Sequence, residues 1–234
     1  MSVMKKHGFM RRALALTLVC LSLLCACAQK APKLHFENGS FRGKISAKTE
    51  VAYQMAPDTY RVTSVFPDEV IFLATGYLST DIPLYAIEGA DSALLLADEN
   101  FVLYHNESYT LPSLAEMKPF AVSVCETGGN LASEVDRLEN EEAISGIINL
   151  LETEVSYPKQ SLDAYNVSQR FELLFHSEEY PAFDYVLEYW KYDEPVSFVN
   201  GDTEITVAKG VVYDRAARCF YVIGEQLESY FKNS

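Results

Sequence analysis

Three histidines lie beyond the first thirty residues of this 234-residue chain, His35, His105 and His176, and they are the first places to look for proton-transfer or metal chemistry. His176 closes a run of alternating apolar residues, and Asp184 stands where the second strand of a hairpin brings it opposite. An imidazole beside a carboxylate can act as an oriented base or as a metal ligand with a fixed tautomer. His105 lies beside Asn106 and Glu107, and His35 falls in a polar stretch. No HxxH, HExxH or C-x-x-C follows residue 30, so no residue is assigned to a metal or other cofactor. Nucleophile signatures are equally sparse, with no GxSxG and no P-loop. Ser156-Tyr-Pro-Lys159 has the form SxxK, but Pro158 disfavours the helical geometry that this motif requires of Tyr157. The adjacent acids Glu178-Glu179 and Asp193-Glu194 are what chance gives in a chain with 33 acids. No catalytic residue is assigned.

The aromatic residues are more suggestive. Tyr180, Phe183, Tyr185, Tyr189, Trp190 and Tyr192 crowd into thirteen positions, and Trp190 is the only tryptophan. If exposed beside acids, such rings stack on sugars or hold cationic groups. The candidate binding surface is therefore His176, Asp184, Glu188, Trp190 and Tyr192.

These residues need a sheet to hold them. Phe171-Phe175 and Phe183-Trp190 read as a hairpin with Phe171, Leu173, Phe175, Phe183, Tyr185, Leu187 and Tyr189 on one buried face, and Glu172, His176, Asp184, Glu188 and Trp190 on the other. Upstream, short β-rich runs (60–66, 70–75, 84–87, 93–97, 101–105, 120–125) alternate with turn signals such as Pro57-Asp58 and Gly128-Gly129, the spacing of a small barrel or sandwich. Between the two, Leu131, Val135, Leu138, Ile144, Ile147, Ile148, Leu151 and Val155 recur at mostly three- and four-residue steps and predict an amphipathic helix, which Asn140 or Gly146 divides if it is divided at all. Hairpins are predicted around Asn200-Gly201-Asp202 and 214–218, and a short helix around Leu227, Tyr230 and Phe231. The fold class is α+β, a β-rich domain at 49–126 followed at 130–234 by an antiparallel sheet packed against helices.

The first 26 residues carry Lys5, Lys6, Arg11 and Arg12, no acid, and then an uncharged run of 14 residues from Ala13. As a helix that run reaches about 21 Å, too short to span a bilayer core of ~30 Å, so it reads as a signal peptide. Leu24-Cys25-Ala26-Cys27 resembles the bacterial lipobox. The resemblance implies cleavage after Ala26, a diacylglyceryl group on Cys27, and a lipid-anchored protein on the extracytoplasmic face of the cell membrane. Residues 27–48, polar and containing Pro32, Gly39 and Gly43, are expected to be a tether.

Loss of the leader takes four cations and no acid, so the net charge falls from −14 to −18. That balance excludes nucleic acid as a partner, since phosphate binding needs a basic stripe. Cys125 and Cys219 remain, and in an exported domain they can form one disulfide or stay as two buried thiols. The sequence is thus read as a membrane-anchored, non-catalytic binding or regulatory module for a protein, peptide or glycan ligand. An envelope hydrolase with a scattered site and a structural assembly lipoprotein are the alternatives.

Overall fold

Period-two alternation builds the first half of the chain. The computed structural model describes residues 31–76, 80–128, 131–159, 162 and 167–231. The leader and Cys27 lie outside these residues. The chain divides after Pro32, and Lys33–Ser234 is a unit of its own. Within it β1 (Lys33–Glu37), β2 (Ser40–Lys44), β3 (Glu50–Met55), β5 (Val65–Thr75), β6 (Asp81–Ile87), β7 (Leu95–Ala97) and β8 (Leu103–Asn106) close a barrel in the order β1-β2-β3-β8-β7-β6-β5. Parallel pairing of β1 with β5 makes the seam, with Leu34 opposite Ala74. Leu34, Phe41, Tyr53, Phe72, Leu84, Leu96 and Tyr104 fill the interior. The stretch to Lys48, expected as a tether, thus supplies two barrel strands. Only Leu34, Phe36 and Phe41 turn large apolar groups toward the core there, and the polar residues between them hide the strand signal.

The second half is one antiparallel sheet with helices on one face. β9 (Ala121–Gly128), β10 (Leu131–Leu138), β11 (Ser156–Pro158), β12 (Gln169–His176), β13 (Phe183–Lys191), β16 (Gly210–Asp214) and β17 (Cys219–Tyr221) run in the order β10-β9-β12-β13-β16-β17-β11. β14 (Val196–Asn200) and β15 (Thr203–Val207) form a separate hairpin that turns at Gly201, φ +63°. Three helices are described, α1 (Leu114–Met117), α2 (Glu141–Thr153) and α3 (Gly224–Phe231). Ile144 and Ile147 of α2 and Leu227 of α3 pack on Val122, Val124, Leu173, Phe175, Leu187 and Val212, the buried face that alternation predicts. With 51% of the described residues in strands and 14% in helices, the fold is β-rich, and α+β overstates its helical part.

The helix predicted from 131 to 155 is half strand. Leu131–Leu138 is β10, paired with β9, and the helix proper begins at its N-cap Asn140, whose side chain accepts the Ala143 N–H at 2.9 Å. The helical spacing has a physical source in a β-bulge. Glu134 faces Cys125 and Asp136 faces Val124, so Val135 is an extra residue, 52% exposed. A bulge makes residues three apart share a face, as they do in a helix. Gly146 does not break α2; a Cβ there would lie 2.9 Å from Cζ of Tyr230, so the glycine lets α3 pack against α2.

One short strand joins the halves. β4 (Tyr60–Val62) leaves the barrel and pairs with β13, placing Arg61 opposite Asp184. Arg61 reaches over to Glu172 with two hydrogen bonds of 2.6 Å. Val62, Ile87, Leu103, Met117 and Phe183 form a core common to both sides. β4 and β9, both inside the stretch read as a first domain, therefore belong to the second sheet, and Lys33–Ser234 is one compact unit.

The disulfide expectation also fails. Cys125, Glu172, Glu188, Tyr213 and Phe220 are successive partners across the sheet, so Cys219 is four strands from Cys125. That is about 19 Å, against ~7 Å at most for bonded cysteines. Both are free thiols, and burial pushes both thiols up.

The Arg61 fork holds the Glu172 carboxyl below its usual range. A carboxyl lowered in the folded state adds stability above its unfolded value, and this is lost as pH falls through the lowered value. Arg61→Ala is expected to cost about 2–3 kcal/mol, less than a fully buried pair because the Arg61 side chain is 36% exposed. Glu172→Gln is expected to flatten the acid limb of stability in urea unfolding followed against pH. An unchanged acid limb would contradict this account of the pair.

Candidate functional site

The polar face of β12 and β13 is closed by its own side chains. Glu172 sits between Arg61 and Arg215, the latter 3.6 Å away, and Glu188 accepts from Arg215 Nε and from Trp190 Nε1. Trp190 is 5% exposed. Its ring lies 4.6 Å from the Tyr213 ring, with the Arg170 guanidinium 4.9 Å from its centroid. Tyr192 is 3% exposed and joins Trp190 in a core with Phe198, Val207, Val211 and Phe220. The binding surface read from Glu188, Trp190 and Tyr192 is therefore not a surface. The hairpin β14–β15 supplies part of the cover through Phe198 and Val207, a packing partner that alternation within β13 cannot reveal.

His176 and Asp184 do meet, with Nδ1 2.8 Å from Oδ1. The other ring nitrogen, Nε2, lies 2.8 Å from Oγ of Ser123. The sequence reading missed Ser123, which sits in the middle of β9 with no motif around it. Serine, histidine and aspartate in that order form the hydrogen-bond chain of an acyl-transfer nucleophile. Here the chain runs on. Ser123 Oγ donates to Glu134 at 2.5 Å and receives Arg137 at 3.3 Å. The β10 bulge brings these two onto one face, opposite Cys125 and Ser123 respectively. A hydroxyl has one hydrogen and two lone pairs. With the Nδ1 hydrogen of a neutral His176 on Asp184, its Nε2 is an acceptor, so Glu134 and His176 compete for the single hydroxyl hydrogen while Arg137 donates to a lone pair. Ser123 is 2% exposed and laddered on both sides, to Arg137 and Leu174. No strained strand-to-helix turn presents it, and the cluster works as a clasp across four strands.

His105 is held within the barrel wall. Its Nδ1 lies 2.9 Å from the Tyr109 carbonyl and its Nε2 3.1 Å from Gln54 Nε2, and it is 7% exposed. His35 is in β1, paired with Arg42 and Thr75. Among the described residues no three His, Cys, Asp or Glu side chains form a metal-sized group.

An open concavity lies elsewhere, on the helical side. A groove of about 610 Å³ runs between α2 and the α1–β9 segment. Ala115, Phe120, Ile144 and Ile148 give it apolar walls, and Glu139, Glu141 and Glu152 rim it. Phe120 is 46% exposed, and its ring centroid lies 6.5 Å from that of His176, so the groove ends beside the clasp. Lys118, its cation, pairs with Glu179 at 2.7 Å, and Glu139 pairs with Arg137 at 2.8 Å. A side pocket of about 160 Å³ shares Ala115, Ile148 and Glu152 with the groove, and continues between Leu151, Tyr185, Leu187 and Tyr221 to Asp214. The one sequence signal for this site was the predicted helix, whose Ile148 and Glu152 fall four apart on one face.

Comparison with protein-family models, curated proteins and solved structures finds no match to this chain.

Enclosure of Ser123 has a direct chemical test. A fluorophosphonate reagent incubated with the full chain is expected to leave Ser123 unmodified in peptide mass spectrometry. An adduct on Ser123 would show an attackable hydroxyl and contradict the clasp.

Proposed function

We propose that this chain is a lipid-anchored extracytoplasmic binding module without catalytic activity, and that its ligand site is the groove along α2. The observation that carries the reading is the groove itself, about 610 Å³ with apolar walls and an acidic rim, a size and lining typical of ligand sites. The membrane address rests on the leader, its short apolar run and the lipobox-like Cys27. Lipid on Cys27 would hold the module at the membrane, since two acyl chains give stable anchoring where one binds marginally. The Ser123-His176-Asp184 chain favours a hydrolase as the second reading, and the burial of Ser123, 2% exposed and laddered on both sides in mid-strand, weighs against it.

The reading is tested with a photo-crosslinking residue placed at Ser145, which lines the groove, and as a control at Val199, 67% exposed on β14. The full chain is expressed in its native envelope. The expected result is a discrete adduct from Ser145 that Ile148→Trp abolishes, with none from Val199, on a chain whose intact mass carries diacylglycerol on Cys27. Equal capture from both positions, or from neither, would contradict the groove as ligand site. An unlipidated Cys27 would contradict the anchor.

A further inference from the structure

Asp214 is a carboxylate in an unusual place. It sits on the face of β16 that Val212 contributes to the core beneath α2, and it is only 9% exposed. One oxygen accepts the Ala217 N–H at 2.9 Å and holds the β16–β17 turn. The other has no hydrogen-bond donor among the described residues and is not sealed from solvent. No Lys or Arg pairs with it there either. Its neighbour Arg215 points to the opposite face, toward Glu172 and Glu188. A carboxylate recessed in a pocket, with one oxygen still open and no counter-ion beside it, is placed to pair with an incoming cation.

The surroundings say where that cation would come from. Asp214 lines the side pocket, whose walls are the apolar parts of Leu151, Tyr185, Leu187 and Tyr221. At about 160 Å³ the pocket has room for one long side chain. Nearby hydroxyls do not neutralise the charge. Burial first, then Cys219 and Asp214, push the Tyr221 hydroxyl up to about 12, so it stays uncharged. Glu152 stands at the junction of pocket and groove. It also lies in the last turn of α2, which has no basic residue to oppose the negative end of the helix dipole.

Resting on the reading of the groove as the ligand site, we infer that the side pocket takes a Lys or Arg side chain, and that the groove holds the flanking apolar residues of a basic peptide segment. The alkyl stem runs along Leu151 and Leu187, the cationic head reaches Asp214, and Glu152 marks the entrance. A peptide is the occupant because the pocket opens into a groove nearly four times its volume, which a lone amine leaves unfilled. The net charge of −14 draws cationic ligands toward it.

The test is fluorescence anisotropy with the full chain and two synthetic peptides. One is labelled Leu-Ala-Lys-Leu-Ala-Leu, and the other carries norleucine in place of Lys. The Lys peptide is expected to bind at least about tenfold more tightly than the norleucine peptide. Asp214→Asn is expected to erase that difference while leaving norleucine binding unchanged. Leu151→Trp, which fills the pocket and leaves the carboxylate in place, is expected to do the same, so the result does not rest on the folding of one variant. Equal affinity for the two peptides, or a difference that survives both substitutions, would overturn the assignment of the pocket. Spermine binding as tightly as the Lys peptide would overturn the peptide as occupant. Crosslinking from Ser145 with no preference for Lys would reject this inference and leave the groove reading standing, whereas loss of both would reject the two together.

Discussion

The fork between Arg61 and Glu172 joins residues 111 apart in the chain, and the architecture turns on it. β4 is three residues long, too short for its ladder bonds alone to hold a barrel segment on another sheet. Arg61 places a fixed cation over the middle of the polar face, where Glu172 and Glu188 would otherwise repel across a directly opposed pair. Arg215 arrives from the far side, and the two guanidiniums leave neither acid available to solvent partners. Once that face is closed, Trp190 and Tyr192 are core residues, and open concave surface remains on the helical side.

The two faces of the sheet therefore have opposite economies of charge. On the polar face every described acid has a partner: Glu134 meets Ser123 and Arg137, Asp184 meets His176, and Glu172 and Glu188 meet arginines. On the helical side Glu141 and Glu152 have no cation among the described residues, and Asp214 is buried without one. Arginines fix the polar face, and Glu141, Glu152 and Asp214 are among the acids that no described cation pairs. Those three acids line the groove and its side pocket, where the inferred basic segment would meet them.

What the sequence disclosed follows the same physics. The β12–β13 hairpin was legible because seven apolar residues alternate without interruption and bury on one face. The runs at 84–87, 93–97, 101–105 and 120–125 were marked by the turns between them, and the end of α3 by the spacing of Leu227, Tyr230 and Phe231. Pro67-Asp68, by contrast, looks like a turn between 60–66 and 70–75 but lies inside β5, and the true break falls at 63–64. Three things were hidden. The bulge at Val135 gave a strand the spacing of a helix. Strands β1 and β2 carry too few apolar residues to stand out from polar linker sequence. The third is tertiary cover: alternation places Trp190 away from the first core, but it cannot say that Phe198 and Val207, from a later hairpin, form a second core over it. Ser123 and Asp214 were illegible for a related reason, since each gains its meaning from strands far away in the chain.

Trp190 is the only tryptophan, so its emission reports directly on whether that face is sealed. The measurement is acrylamide quenching of Trp190 fluorescence in the full chain under native conditions. The account predicts a blue-shifted emission that acrylamide barely quenches, as for an indole packed on Tyr213 beneath Arg170. A red-shifted emission quenched like that of free tryptophan would mean that the aromatic face is open. The closed polar face, and with it the case for the groove as ligand site, would then be wrong.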